Sequence, residues 1–309
     1  MKRVFIDGSA GTTGLRIRER LSGRPDIRLV QLDEARRKDP DARRQMLNEG
    51  CDIVFLCLPD DAAREAVAML ENPDVTVLDT STAHRTDPRF VYGFPELSRP
   101  RREAIRSARR IAVPGCHASG FIALVYPLLE AGLIAPDTRL TCFSLTGYSG
   151  GGKKMIAQYE AAEPDPLLAG PRQYGISQEH KHLPEMIHVT GLAEKPVFCP
   201  IVADFYSGME VTVPLFAEDL RGTPADVRAV YAEKYAGPVV QYRAAADEAG
   251  FYSAARLAGL DRMEITTAGN DDRLLLVARF DNLGKGASGA AVQCLNLVLG
   301  ADETAGLEL

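Results

Sequence analysis

The sequence predicts an α/β protein with two domains: a Rossmann-type parallel sheet first, then an α+β domain with a mostly antiparallel sheet. Three observations predict this. A glycine-spaced turn, Gly8–Gly14, stands between an apolar run and a helical pattern near the start. Short apolar runs then alternate with helical patterns as far as Val113, which implies right-handed βαβ units. After Cys116 the texture changes. In GMEVTVPL, Met209, Val211, Val213 and Leu215 alternate with Glu210, Thr212 and Pro214, the period of a half-buried antiparallel strand. The expected division is residues 1–115 with 281–309 as the first domain and 116–280 as the second, which would carry catalysis and oligomerisation.

Arg3–Ile6 reads as a buried strand and LRIRERL as the helix after the turn. The G-x-x-G-x-x-G spacing is a variant of the dinucleotide fingerprint. Glycine there permits a tight turn and lets backbone N–H groups approach a pyrophosphate at the helix N-terminus. Gly8, Ser9, Ala10, Gly11, Thr12, Thr13 and Gly14 are therefore the expected phosphate loop, although an ordinary β-α turn would carry similar glycines. Ile27–Leu32 is the second strand. Asp33 lies near the place of a ribose-binding acid, but Arg36, Arg37 and Lys38 follow it closely and suit a 2′-phosphate, which favours NADP over NAD. A solvated basic cluster is the competing reading.

Asp52–Leu58 is continuously apolar after its first residue, as a strand buried on both faces would be. A helix DDAAREAVAMLE and a strand Val75–Asp79 follow. Ligands of parallel sheets lie at the carboxyl ends of the strands, so Leu58, Pro59, Thr80, Ser81 and Arg85 are expected along one crevice. Ser81 as a helix N-cap and Arg85 as a surface ion pair are the structural alternatives. YGFPEL, Tyr92–Leu97, reads as a compact loop, either a substrate wall or purely structural, and RREAIRSARR as a polar helix.

Strand Ile111–Val113 then ends in Pro114-Gly115, followed by Cys116 and a long helical pattern. A cysteine at a helix start faces unpaired backbone N–H groups and the positive end of the helix dipole. Both favour the thiolate, the nucleophilic form of the side chain. The other five cysteines lack such a setting: Cys57, Cys142 and Cys199 sit in strand-like runs and read as buried and inert, while Cys51 and Cys294 carry no signal.

Leu140–Leu145 is a strand, and GYSGGGKK (Gly147–Lys154) is expected as a mobile loop over a substrate or as a flexible connection. Pro164–Pro171 reads as loop. Ser177 is placed to cap a helical stretch SQEHKHLPEMIHV that Pro184 would interrupt. His180, His182, Glu185 and His188 cluster there. They are compatible with surface polarity, with a metal site that lacks a partner ligand elsewhere, or with a histidine serving Cys116 as acid and base. TPADVRAVYAEKYAG is a helix after a cap and an N1 proline, and VVQYR, MEITTAG and RLLLVARF are strands. The small residues Gly286, Ala287, Gly289, Ala290 and Ala291 open a last helix suited to close packing, expected against the first domain.

Composition excludes several classes. Of 309 residues 46% are apolar and 25% charged, with a net charge of −6 and no basic block, so a nucleic-acid partner is not expected. The opening MKRVFIDG has no secretory h-region, the longest apolar stretch, Phe121–Ala135, contains Glu130, and the six cysteines have no CxxC spacing. A cytoplasmic location without membrane, disulfide framework or metal is expected.

Taken together, FIDGSAGTTGLRIRERL, DTSTAHR, YGFPEL, VPGCHASG, GYSGGGK, HKHLPEM and DNLGKGASGAAVQ resemble, in order and over nearly the whole chain, the short form of the N-acetyl-γ-glutamyl-phosphate reductase family of arginine biosynthesis. The wider superfamily includes aspartate-semialdehyde dehydrogenase. The resemblance implies Cys116 as nucleophile and His180 as catalytic histidine with Glu185 its neighbour, though the residues alone do not choose between His180 and His182. It implies Gly8–Gly14 as the NADP pyrophosphate loop and Asn282 as the residue fixing the nicotinamide amide; Arg85, the candidate cation for the leaving phosphate, is expected on the substrate side with Ser119, Gly147 and Glu185. The implied reaction is NADPH-dependent reduction of an acyl phosphate through a Cys116 thioester, with a protonated His180 donating to the oxyanion, in a homo-oligomer, dimer or tetramer. His117 departs from many relatives and is expected to point away from the site. The rival readings are another acyl-phosphate reductase, such as aspartate-semialdehyde dehydrogenase, a non-catalytic nucleotide sensor, and a cysteine hydrolase. A sensor would need neither Cys116 nor the His pair, and a hydrolase would leave the glycine loop unexplained.

Overall fold

A computed structural model describes residues 1–37 and 39–309, so Lys38 of the expected basic cluster lies outside the described residues. The chain forms two compact units, Met1–Pro114 with Ala287–Leu307, and Gly115–Gly286 with Glu308–Leu309. Residues 281–286 fall with the second unit, where Asp281 accepts from Ser207 Oγ and Asn282 from the Gly208 N–H. Glu308 joins it because its N–H donates to Asp261.

The first unit runs β1 (Lys2–Asp7), α1 (Thr12–Leu21), β2 (Ile27–Val30), α2 (Pro40–Gln45), β3 (Ile53–Leu56), α3 (Asp60–Ala68), β4 (Thr76–Asp79), β5 (Val91–Tyr92), α4 (Arg99–Ser107) and β6 (Arg110–Ala112). The strands make one parallel sheet in the order β2-β1-β3-β4-β6-β5. All four residues of β3 are buried, as its apolar run requires.

The second unit runs α5 (Cys116–Glu130), β7 (Thr141–Gly147), α6 (Gly152–Tyr159), β8 (Arg172–Gln173), α7 (Leu183–Thr190), β9 (Val197–Ala203), β10 (Met209–Phe216), α8 (Pro224–Lys234), β11 (Val240–Tyr242), β12 (Met263–Gly269) and β13 (Arg273–Phe280). Its sheet has the order β11-β12-β13-β10-β7-β9-β8 and is mostly antiparallel, with β11–β12 and β7–β9 the parallel pairs. Along β10 the burial alternates as GMEVTVPL predicts. Helix α5 packs close on this sheet at Gly120, where a Cβ would lie 2.5 Å from Val211 Cγ2.

The last helix, α9 (Gly289–Leu299), returns to the first unit. Its Ala290, Ala291, Val292, Leu295 and Leu297 share a core with Val4, Ile6, Ile17, Ile53 and Phe55.

Three local expectations are corrected. GYSGGGKK is not a loop: Tyr148–Gly151 forms a 3-10 turn running into α6. The turn is held by Tyr148 N–H and Ser149 N–H donating to the Phe205 and Tyr206 carbonyls. Ser177 caps no helix and Pro184 interrupts none. Helix α7 begins only at Leu183, and the proline occupies its first turn, where a missing N–H costs nothing. Pro164–Pro171 contains a 3-10 turn, Pro166–Ala169, capped by Asp165.

Candidate active site

Cys116 is the first residue of α5, with Gly115 at the N-cap in an extended conformation and no side-chain cap. The N-cap residue thus brings no side-chain acceptor to the first-turn N–H groups. The turn itself is pinned from α7, where buried Glu185 accepts the Gly115 N–H at 2.8 Å. Ser119 Oγ donates to the Gly115 carbonyl at 3.0 Å, closing the first turn from inside.

Aromatic rings crowd beside this helix start. His180 is half-buried and His182 buried, with ring centroids 4.9 Å apart, and the His182 N–H donates to His180 Nδ1 at 3.2 Å. Burial, reinforced by the charge of Lys181, pushes the His180 imidazole down to about 4, so it is neutral near pH 7. His117 does not point away. It is buried, its ring lies 5.6 Å from His180 and 5.5 Å from His182, and it hydrogen-bonds Ser144 Oγ and the Tyr174 hydroxyl. Burial first, then His180 and Lys181, push His117 down to about 3. Among the described residues no group of three or more His, Cys, Asp or Glu side chains is arranged to hold a metal ion.

Gly147 ends β7 and donates its N–H to the Gly208 carbonyl; a Cβ there would lie 2.6 Å from the Phe205 and Tyr206 carbonyl oxygens. Asn282 is buried, with Oδ1 accepting the Gly208 N–H at 2.9 Å and Nδ2 donating to Ser149 Oγ at 3.0 Å. Each end of its amide has capacity for one further hydrogen bond. The 3-10 turn after β7 therefore orients Asn282.

In the first unit Gly8 has φ +87°, and a Cβ would lie 2.2 Å from the Cys57 carbonyl oxygen. Only glycine meets both conditions. The loop leads through Gly11, which caps α1 without a side-chain bond, to Thr12, Thr13 and Gly14 in the first turn. Gly8, Ser9, Ala10 and Leu58 line a cavity of about 460 Å³ together with Arg37, and with Arg18 and Glu34, which the sequence did not single out. This glycine cradle and cavity fit a dinucleotide. Arg37 pairs with Glu34 at 2.8 Å, while Arg36 pairs with Asp39.

Pro59 caps α3. Ser81 is no helix cap: its N–H and hydroxyl both donate to buried Asp79, which also holds His84 Nδ1 at 2.6 Å. Arg85 does not lie at the surface. It is buried, with Nε donating to the Val113 carbonyl and Nη2 to the Thr80 carbonyl. Among the other cysteines, burial pushes Cys51 and Cys57 up to about 12 and raises Cys142 further, while Cys199 is half-buried.

Sequence reading missed Tyr174, Ser144 and Gln178. Gln178, at φ 58°, donates from Nε2 to the Phe198 carbonyl and accepts the Phe198 N–H at Oε1. It thereby rivets the segment carrying His180 onto β9. The flanking strand β8 has two residues, too short to leave a periodic pattern.

A parallel-sheet dinucleotide unit and a mixed-sheet unit that opens with a cysteine at a helix start define a nucleotide-dependent oxidoreductase as the class. Residues 3–108 match the semialdehyde dehydrogenase NAD binding domain and residues 116–282 the semialdehyde dehydrogenase dimerisation domain. Proteins described as N-acetyl-gamma-glutamyl-phosphate reductase from Brucella ovis and Brucella canis are each 47% identical over 307 residues, covering 96% of this chain and 99% of theirs. The chain belongs to the semialdehyde dehydrogenase family, in the branch of these reductases. The fold agrees. Aspartate semialdehyde dehydrogenase from Francisella tularensis superposes with a TM-score of 0.73 at 13% identity, covering 97% of this chain and 100% of that one. The enzyme II from Vibrio cholerae, complexed with ASA, gives 0.69 at 16%, covering 97% and 98%. No helix among the described residues is long and apolar enough to cross a membrane.

Proposed function

We propose that this protein catalyses the reductive dephosphorylation of N-acetyl-γ-glutamyl phosphate to N-acetylglutamate 5-semialdehyde, with NADPH as reductant, in arginine biosynthesis. The observation that carries the reading is Cys116 at the start of α5, where Gly115 brings no side-chain cap, with the neutral His180 ring of the HKHLPEM segment against the ring of the adjoining His117. The branch of the family to which the chain belongs supports the substrate.

His180 takes the Cys116 proton as a base, because burial keeps it neutral before the reaction. The thiolate attacks the acyl carbon and phosphate leaves, with Arg85, its plane fixed by two backbone carbonyls, as the cation that assists. A thioester on Cys116 results. A reduced nicotinamide, when bound, supplies hydride. The N–H groups at the start of α5 stabilise the oxyanion of the tetrahedral adduct. His180, by then an imidazolium, returns its proton as the adduct collapses and the thiolate departs.

The dinucleotide is held by Gly8–Gly14, Leu58, Pro59 and Ser81, with Asn282 for the nicotinamide amide. Arg37, with Arg36, selects the 2′-phosphate. Ser119, Gly147 and Glu185 shape the substrate side through the backbone turns they hold. A second copy covers the outer face of the second sheet, where Phe143, Phe216 and Leu275 are 45%, 57% and 40% exposed, in a cytoplasmic dimer or tetramer. The dimerisation-domain match supports that assembly.

The test is phosphate-dependent reduction of NADP by N-acetylglutamate semialdehyde against aspartate semialdehyde. Preference for the first is expected, and preference for the second would overturn the substrate assignment. Cys116→Ser is expected to lose at least about a thousandfold in kcat while folding normally.

A further inference from the structure

His117 immediately follows the nucleophile, and the mechanism leaves it without a role. Its two ring nitrogens are both engaged, Nδ1 with Ser144 Oγ and Nε2 with the Tyr174 hydroxyl, each at 2.6 Å. Ser144 lies on β7 with no exposed surface, and Tyr174 stands at the root of the segment that carries His180. A neutral imidazole offers one donor and one acceptor, and hydroxyls serve as either, so the chain Ser144–His117–Tyr174 is satisfied without any charge. The segment beyond Tyr174 is held at two more points. The Tyr174 N–H donates to the Pro200 carbonyl, and Gln178 clamps both main-chain groups of Phe198. The rings of Tyr174 and His180 then meet edge-on at 5.9 Å, and those of His117 and His180 at 5.6 Å.

We propose that His117 is a positioning residue: through Ser144 and Tyr174 it ties the segment bearing His180 to the helix that opens with Cys116, and so sets the approach of the base to the thiol. The strut is neutral and permanent. Burial keeps the His117 proton count fixed, and burial together with the charge of a Cys116 thiolate raises Tyr174, which keeps its hydroxyl proton. The inference rests on the reading of Cys116 as nucleophile and His180 as base.

The experiment compares Tyr174→Phe, which removes one hydroxyl, with His117→Leu and with the double variant. It measures kcat, KM, melting temperature and the pH profile of Cys116 alkylation by iodoacetamide. Tyr174→Phe is expected to lower kcat about tenfold or more with KM little changed, because small misplacement of a catalytic group is costly. The alkylation profile shifts to higher pH in the same variant. The double variant is expected to lose no more than the worse single one, as residues of one strut do not act independently. Wild-type kcat with a wild-type alkylation profile in Tyr174→Phe would overturn the proposal, as would losses that multiply in the double variant. Should His117→Leu not fold, Tyr174→Phe alone decides. Failure of the underlying reading looks different, since Cys116→Ser would then retain turnover.

Discussion

Acid should weaken the second unit through His117 in a way that can be isolated. In an unfolded chain this imidazole titrates near 6.5, whereas burial holds it at about 3 in the fold. Above pH 6.5 both states are neutral and contribute no slope. As pH falls below 6.5 the unfolded chain binds a proton that the folded one refuses, so stability is lost progressively down to about pH 3. Between pH 7 and pH 5 the linkage relation gives a loss of about 2 kcal/mol from this group alone. Tyrosine fluorescence reports the unit selectively, because the chain has no Trp and ten Tyr, of which only Tyr92 lies in the first unit. Urea unfolding of the wild type and of His117→Gln at the two pH values is the assay. The wild type is expected to lose about 2 kcal/mol more than the variant on going to pH 5. Parallel losses in the two proteins would refute the assignment of a buried, neutral His117.

Three further outcomes are expected. Glu34→Ala, which removes the partner of Arg37, should favour NADPH over NADH by at most about fivefold in KM ratio, since both side chains are largely exposed and such a pair is worth less than about 1 kcal/mol. Gly120→Val should destabilise the second unit by about 1–3 kcal/mol in the same urea assay, because its Cβ meets Val211 where helix and sheet are already in contact. Gln178→Ala should raise amide hydrogen exchange at Phe198 and across residues 174–182 without unfolding the sheet, through loss of two hydrogen bonds each worth about 1 kcal/mol.

What could be read from the sequence follows the range of the forces involved. Strand β3 was legible because burial on both faces leaves a continuous apolar run, and β10 because burial on one face leaves alternation. The placement of Cys116 was legible because Pro114 and Gly115 punctuate the chain locally. GYSGGGKK misled because glycine signals freedom, while the bonds that order it come from Phe205, Tyr206 and Asn282, far away in the chain. His117 was expected to face elsewhere because neighbouring residues diverge around a helix. Its ring does turn to the sheet at Ser144, yet the sheet there lies beside the His180 segment. Tyr174 and Gln178 left no signal, since their partners are set by tertiary pairing of β8 and β9 and of the loop that follows.

The return of α9 to the first unit fixes an order of events during synthesis. A ribosome that has just joined Gly286 has made every residue of the second unit except its last two, while the first unit still lacks Ala287–Leu307. Until then Val4, Ile6, Ile17 and Ile53 have no Ala291, Leu295 or Leu297 to pack against, and Arg24 waits for Asn296. The unit begun first therefore gains its closing helix only after nearly all of the second has been made. Its apolar sheet face spends the translation time of some 170 residues uncovered by its own helix, so the nascent chain is most exposed to misassociation in its oldest part.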